Sequence, residues 1–337
     1  MSAAFILGGT GQIGLAVAER LAGDDWEVRL VSRAPAPVSG PWQHVAADRE
    51  DRSALRRALA DGADLVLDCV AFDVRHADQL LDFQNSAGRL AVISSASVYC
   101  DASGRTLDEA SHTGFPAFPE PIREDHRTVE PGPETYSTRK VAIERRLLDE
   151  ARTPVTILRP CAIHGPYSKH AREWWFVKRL LDGRERIPLA YGGRSRFQTT
   201  STQAIAEAVR FLLSSNGPQV LNVADADAPT VADIGHAIMS AMGRHADLFG
   251  LPDAPYPPVL GATPWSVEKP MVCASSVPSA ETYAQTVPRA VRWLIAATQG
   301  RDWRVLLPQL AVYPTRHFDY DVDDQALAVG RARHIPI

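Results

Sequence analysis

Phe5-Ile6-Leu7-Gly8-Gly9-Thr10-Gly11-Gln12-Ile13-Gly14 is the stretch whose reading decides the fold. Phe5 to Leu7 reads as a short apolar strand, and Leu15 to Leu21 begins an Ala/Leu-rich helix, so the glycines occupy a strand-to-helix turn. Glycines at 8, 11 and 14 allow a tight turn, close backbone approach to a pyrophosphate and close helix-to-strand packing. The helix N-terminus adds unpaired N–H groups and a positive dipole end, so the turn reads as a dinucleotide-binding loop. A glycine-rich turn without a ligand is the competing reading, and the strand and helix flanks count against it.

Outward from the turn, short apolar strands alternate with amphipathic helices. Strands are predicted at 3–7, 27–31, 43–47, 65–70, 90–94, 155–159 and 219–223, with helices near 12–22, 51–60, 76–86, 135–151 and 203–214. Such alternation predicts an α/β fold, a doubly wound parallel sheet with helices on both faces, whose ligands bind beyond the carboxyl ends of the strands. The expected organisation is a dinucleotide-binding domain over 1–165, with a returning segment at about 196–225. A smaller C-terminal substrate lobe is expected from 166–195 and 226–337, with helices near 280–299 and 302–312. Two stretches interrupt the pattern: 100–133, rich in Pro, Gly and charge, and 252–288, where eight prolines recur. Long loops inside a compact domain are usually functional, so the first is expected to frame a substrate and the second to run over the smaller lobe.

The chain has 337 residues, 45% hydrophobic and 23% charged, with a net charge of −4, which suits a soluble enzyme and gives no basic excess for nucleic acid. No apolar run is long enough to span a membrane, and the first strand begins too early to leave room for a signal peptide, so a cytoplasmic location is expected. Cys69, Cys100, Cys161 and Cys273 are far apart and form no Cys-x-x-Cys pair. That argues against a zinc site or a disulfide framework, and no metal is expected.

Residues at the strand ends carry the chemistry. After the second strand, Ser32 and Arg33 offer a hydroxyl and a guanidinium where an acid would bond the ribose of NAD, which suits the 2′-phosphate of NADP. A solvated turn arginine is the alternative. Asp48 either accepts from an adenine amino group or is a turn residue. The fifth strand ends in Ser94-Ser95-Ala96-Ser97, hydroxyls that either bond a substrate oxygen or merely terminate the strand. Tyr136 and Lys140 lie four apart in a helical segment after Pro133, on the stripe continued by Ile143 and Leu147. This spacing directs Lys140 inward, where its charge is expected to lower the phenol pKa and make Tyr136 an acid or base near neutral pH.

Together these motifs resemble the extended short-chain dehydrogenase/reductases, the superfamily of NAD(P)-dependent sugar epimerases, dehydratases and related reductases, over roughly residues 3 to 240. Besides the glycine loop and Tyr136-x-x-x-Lys140, the family pattern Ser-Ser-x-x-Val-Tyr-Gly is matched by Ser94 to Cys100, with cysteine for glycine. The Arg-Pro segment ending in Gly-Pro is matched by Arg159 to Pro166, and later landmarks by Arg196-Phe197-Gln198 and Leu221-Asn222-Val223-Ala224. The resemblance implies Ser95 as the catalytic hydroxyl, Tyr136 as acid/base, Lys140 on the nicotinamide ribose, and the backbone from Pro160 to Ile163 facing the nicotinamide amide. It also assigns cofactor contacts to Gln12, Ile13, Val70, Ala71 and Ser94, and implies a homodimer built on the Tyr136 helix and the helix near 76–86.

Departures from the family bear on substrate. Ala162 and His164 stand where nucleotide-sugar enzymes have Asn and Tyr, and Gln203 replaces an expected acid, so a standard sugar-nucleotide site is not expected. His164 is read either as a second acid/base or as a packed, hydrogen-bonded histidine. The strip from Lys169 to Arg196 carries eight Lys/Arg against three acids. It is read as a cleft attracting an anionic substrate group, with Arg194 and Arg196 as contacts, or as a solvated basic face. Trp174-Trp175-Phe176 beside it is expected to place at least one ring in the core. The resulting expectation is an oxidoreductase transferring hydride at a carbinol or carbonyl carbon, with NADP preferred over NAD and Ser97 among the substrate contacts. Reduction is favoured slightly over epimerisation or dehydration. The rival class is a non-catalytic dinucleotide-binding sensor or scaffold.

Overall fold

A computed structural model describes residues 1–214, 219–252, 260–277, 281–312, 317–328 and 332–336. Its centre is a seven-stranded sheet in which every neighbouring pair is parallel. The strands are β1 (Ala3–Leu7), β2 (Glu27–Ser32), β3 (Gln43–Ala46), β4 (Ala63–Asp68), β5 (Ala87–Ile93) and β6 (Val155–Pro160). After β7 (Ala162–His164), β8 (Arg186–Leu189) and β9 (Thr199–Ser201), the chain returns to this sheet as β10 (Gln219–Val223). The order is β3-β2-β1-β4-β5-β6-β10, the doubly wound arrangement the alternation predicts. Leu7 lies level with Val31 on one side and Asp68 on the other, so the residues after these strands emerge along one edge.

Side-chain alternation along the strands divides the packing. Ile6, Leu30, Leu67, Ala91 and Leu158 pack with α1 (Gln12–Ala22) and the helix Thr202–Leu213. Phe5, Leu7, Val31, Val66, Val92 and Ile157 face the other way, against α2 (Arg52–Ala58), α3 (Val74–Phe83) and the helix Tyr136–Glu150. Between α3 and that helix lies one short turn, α4 (Ala110–Thr113), so Tyr136–Glu150 is α5. Asp51 caps α2, accepting from the Ala54 N–H at 2.9 Å. At α5, Thr135 and Thr138 make a reciprocal capping box that fixes where Tyr136 enters the helix.

The Thr202–Leu213 helix of the first core is α7; a second core holds α6 (Trp174–Leu181), α8 (Val231–Met242) and α9 (Tyr283–Thr298) beside a three-stranded sheet. That sheet pairs β8 in parallel with β11 (Asp247–Gly250), and β11 antiparallel with β12 (Arg333–Ile335). Trp174, Trp175 and Phe176 are all buried in this core, where at least one ring was expected. The helix predicted over 302–312 breaks into α10 (Trp303–Leu306) and α11 (Pro308–Ala311), because Pro308 removes an N–H and restricts the residue before it. A last helix, α12 (Tyr320–Ala328), docks on this half. Residues 100–133 are mostly irregular, as expected, whereas α9 takes over the end of the second proline-rich stretch. Of that stretch, 253–259 and 278–280 lie outside the described residues. No helix among the described residues is long and apolar enough to cross a membrane.

Candidate active site

The glycine turn is built as a cradle. Gly8 has φ +72°, and a Cβ there would lie 2.6 Å from a Val70 methyl. A Cβ on Gly14 would lie 2.5 Å from the Gly9 backbone, so α1 rests directly on the turn. Gly11 caps α1 with no side-chain hydrogen bond, which leaves the first helical N–H groups facing outward, while the buried Oε1 of Gln12 has no partner. These features fit a dinucleotide with its pyrophosphate at the helix N-terminus.

A cavity of about 680 Å³ runs from this turn past Gly8, Gly11 and Val70 to Ser32, Arg33 and Asp48. Asp48 is also a turn residue, accepting from the Glu50 N–H at 3.0 Å. The Ser32 hydroxyl donates to the Ala34 carbonyl at 2.5 Å and lies 3.1 Å from His44 Nε2. Arg33 is exposed. Lys169, from the start of the basic strip, lines the wall, completed by residues the sequence did not single out: Tyr167 after β7, and Trp293 and Leu306 from the C-terminal part.

A second cavity of about 660 Å³ brings together Ser94, Ser95, Ser97, Tyr136, Lys140, Pro160 and Ile163, with Gln12 and Ile13 at its cofactor side. Tyr136, Ser95 and Lys140 come from α5, the end of β5 and α5 again, so one helix and one strand end set their spacing. Ser95 accepts from the Ser97 N–H at 3.1 Å, and its hydroxyl lies near enough to the Tyr136 phenol to act on its pKa. Lys140 is buried, donating to the Ala71 carbonyl at 2.7 Å and the Ile93 carbonyl at 2.9 Å. Burial pulls its pKa down to about 8 against the opposing charges of Asp68 and Glu144. The phenol departs from the expectation. Although 40% of Tyr136 is exposed, burial of its hydroxyl end raises the pKa, the nearby Ser95 hydroxyl opposes this, and the charge of Asp108 adds to it. The reason is direction: the Lys140 ammonium is aimed at two backbone carbonyls and sits 5.6 Å from the Tyr136 ring centroid.

Residues 4–224 match the NAD dependent epimerase/dehydratase family. The chain belongs to that family. Comparison with curated proteins gives no match. Among solved structures, the chain is similar to a UDP-N-acetylglucosamine 4-epimerase from Methanobrevibacter ruminantium M1 in complex with UDP-N-acetylmuramic acid (TM-score 0.67, 17% identity, covering 88% of this chain and 99% of that one). It is also similar to the Bordetella bronchiseptica enzyme WbmH in complex with NAD+ (0.65, 17%, covering 87% and 98%). A third is dTDP-glucose 4,6-dehydratase from Bacillus anthracis in complex with NAD (0.65, 15%, covering 91% and 100%). At these identities the likeness concerns the fold.

Several residues by which the sequence resembles this epimerase/dehydratase family form a buried support beneath the site. Arg159 donates to both carboxylate oxygens of Glu144, at 3.1 and 2.5 Å, and to the Tyr99 hydroxyl at 3.1 Å. Tyr99 donates onward to Asn222 Oδ1 at 2.7 Å, joining β5, β6 and β10. Ser94, although it lines the cavity, donates its hydroxyl to Glu144 in this network rather than toward a cofactor. Ala71 contributes its carbonyl to Lys140 and lines neither cavity.

His164, Arg194 and Arg196 are not among the described residues that line the two cavities. His164 is the packed histidine: buried, stacked on Tyr283 at 4.8 Å, with Nε2 2.8 Å from Asp225. Burial lowers its pKa, but the Asp225 bond and charge outweigh that and raise it. Arg196 pairs with Glu120 at 2.5 Å. The cation that the basic strip contributes to the second cavity is instead Arg172, accompanied by His170, Asp108, Phe115 and, from the C-terminal part, Gln309. Arg172 belongs to the same basic strip, but which of the eight cations reaches the cavity depends on a loop path that spacing does not reveal. Among the described residues, no group of three or more His, Cys, Asp or Glu could hold a metal ion.

Proposed function

We propose that this epimerase/dehydratase-family chain is an oxidoreductase that prefers NADP and acts as a reductase at a carbonyl carbon of a small substrate. What carries the reading is the meeting of Ser95, Tyr136 and Lys140 in one cavity beside Gln12, Ile13, Pro160 and Ile163. The domain over 1–165, with the returning segment at about 196–225, would hold the dinucleotide. The lobe formed by 166–195 and 226–337 would close over the substrate.

A bound nicotinamide supplies the hydride acceptor or donor. The protein's part is positional and protonic. In the reducing direction Ser95 and Tyr136 hydrogen-bond the substrate carbonyl oxygen, and the Tyr136 hydroxyl gives that oxygen its proton as the carbon is reduced. A phenol whose pKa is raised holds that proton at neutral pH, which suits an acid more than a base. Lys140 would exchange one of its carbonyl partners for a ribose hydroxyl. Preference for NADP rests on Arg33, exposed at the end of β2 and lining the first cavity, since the Ser32 hydroxyl is already bonded to Ala34.

The test is turnover of NADPH with a panel of small aldehydes and ketones. Tyr136→Phe is expected to lower kcat by roughly 10²- to 10⁴-fold while leaving NADPH affinity unchanged. Binding without turnover in the wild type, indifferent to Tyr136→Phe, would sink the enzyme reading in favour of a dinucleotide sensor or scaffold.

A further inference from the structure

The loop between β7 and α6 supplies side chains to both cavities: Lys169 to the dinucleotide side, His170 and Arg172 to the reaction side. Its backbone is held in an unusual conformation at Tyr167, with φ +63°. The Arg172 side chain has no hydrogen-bond or ion-pair partner among the described residues, and its Nε is buried. A guanidinium offers five donors in a planar fork, so this is unused hydrogen-bonding capacity at the wall of a cavity.

The surrounding groups leave that capacity free. Lys140, the cavity's other basic side chain, is committed to the Ala71 and Ile93 carbonyls. The Asp108 carboxylate accepts from the Ser137 N–H at 2.9 Å. Glu173, next to Arg172, is buried and accepts from the Tyr283 hydroxyl at 3.4 Å. His170 is driven down to about 3 by burial and by the charges of Arg172 and His317, so it stands neutral beside Arg172 near neutral pH. Arg196, on the same basic strip, is engaged by Glu120.

We propose that Arg172 is the anion anchor of the reaction cavity, binding the carboxylate or phosphate of a small oxo- or hydroxy-substrate whose reacting carbon lies at Ser95 and Tyr136. The proposal rests on the oxidoreductase reading and adds the substrate class: an organic anion held by a fork from the β7–α6 loop. Arg172 would pair bidentately with two oxygens of that anion, and the match between fork and anion would set the distance from the charged group to the reacting carbon.

The experiment uses the full chain, with and without NADP, and measures binding by calorimetry for matched probes. The carboxylate arm compares 3-hydroxybutyrate and malate with methyl 3-hydroxybutyrate. The phosphate arm compares glycerol 3-phosphate with glycerol. At least one anion is expected to bind better than its neutral counterpart by on the order of 10- to 100-fold, an advantage that Arg172→Met abolishes and Arg172→Lys partly keeps. Unliganded melting and NADP binding of Arg172→Met serve as the folding control. Equal binding of anion and neutral probe, an advantage that survives Arg172→Met, or no binding of any probe at about 10 mM overturns the proposal. Loss belongs to the oxidoreductase reading instead if NADP itself fails to bind, because the cofactor-free arm still reports on Arg172.

Discussion

At Lys140 burial and usefulness compete. Its ammonium is buried, which brings its pKa down to about 8, and the proposed chemistry needs it charged. The cation is present below that pH and lost above it, so kcat/KM is expected to fall as pH rises through about 8, roughly tenfold per unit. Lys140→Arg keeps a cation and should move that limb upward, although the guanidinium fits the Ala71 and Ile93 carbonyls less well. A flat wild-type profile well past pH 8 would show that the Lys140 charge is not used. Arg33 poses a similar question about the cofactor. Arg33→Ser is expected to weaken NADP by on the order of 10-fold or more while changing NAD little, because only NADP carries the phosphate the guanidinium would pair with. Titration of both dinucleotides checks this, and equal losses for the two would remove Arg33 as the discriminator.

Elements, rather than single side chains, decide whether the cradle exists. Because α1 rests on the turn at Gly14, a methyl group there must displace backbone that β1 and β2 hold on both sides. Gly14→Ala is therefore expected to cost about 1–3 kcal/mol, with weaker NADP binding, read as a lowered urea midpoint and a raised Kd. An unchanged midpoint would mean that the turn and α1 are not closely packed. The same packing explains what was legible. Strands such as β1 and β6 are read directly from sequence because Phe5-Ile6-Leu7 and Val155 to Leu158 are buried on both faces, leaving largely apolar runs between turn signals. By contrast, β3 is an edge strand with no buried residue and is legible from the alternation of elements around it. Strands β7, β8, β9, β11 and β12 are only three or four residues long. They exist because a distant segment supplies the partner: Asp247 to Gly250 lies alongside Arg186 to Leu189, a pairing no local pattern encodes. The site divides along the same line. Ser95, Tyr136 and Lys140 were legible because each sits at a fixed position on a regular element. Arg172 was hidden because its direction follows from a loop path, and His164 looked functional because sequence cannot show Asp225 and Tyr283 closing around it.

The whole molecule depends on how the C-terminal part is fastened, since Trp293, Leu306 and Gln309 from that part help wall the two cavities. The fastening is Arg179 on α6. Its guanidinium stacks 3.5 Å from the Trp175 ring centroid, donates to Asp323 on α12 at 3.0 Å and to the His317 carbonyl at 2.6 Å, and is buried with its partner. Burial pulls Arg179 down and pushes Asp323 up, each toward neutrality and against the attraction of the other. A pair in this balance adds little net stability over a well-packed apolar pair, yet losing one partner leaves a charge stranded in the interior. Asp323→Asn should therefore cost about 3–5 kcal/mol in denaturant unfolding, whereas the double change Arg179→Met with Asp323→Leu should recover most of it. The single variant should also bind NADP more weakly, because loosening α12 frees the segment that carries Leu306 and Gln309. If the double variant is as unstable as the single one, the stranded charge is not the cause and the specific geometry of the fork is. If Asp323→Asn changes neither unfolding nor NADP binding, the C-terminal part is held by its apolar contacts alone.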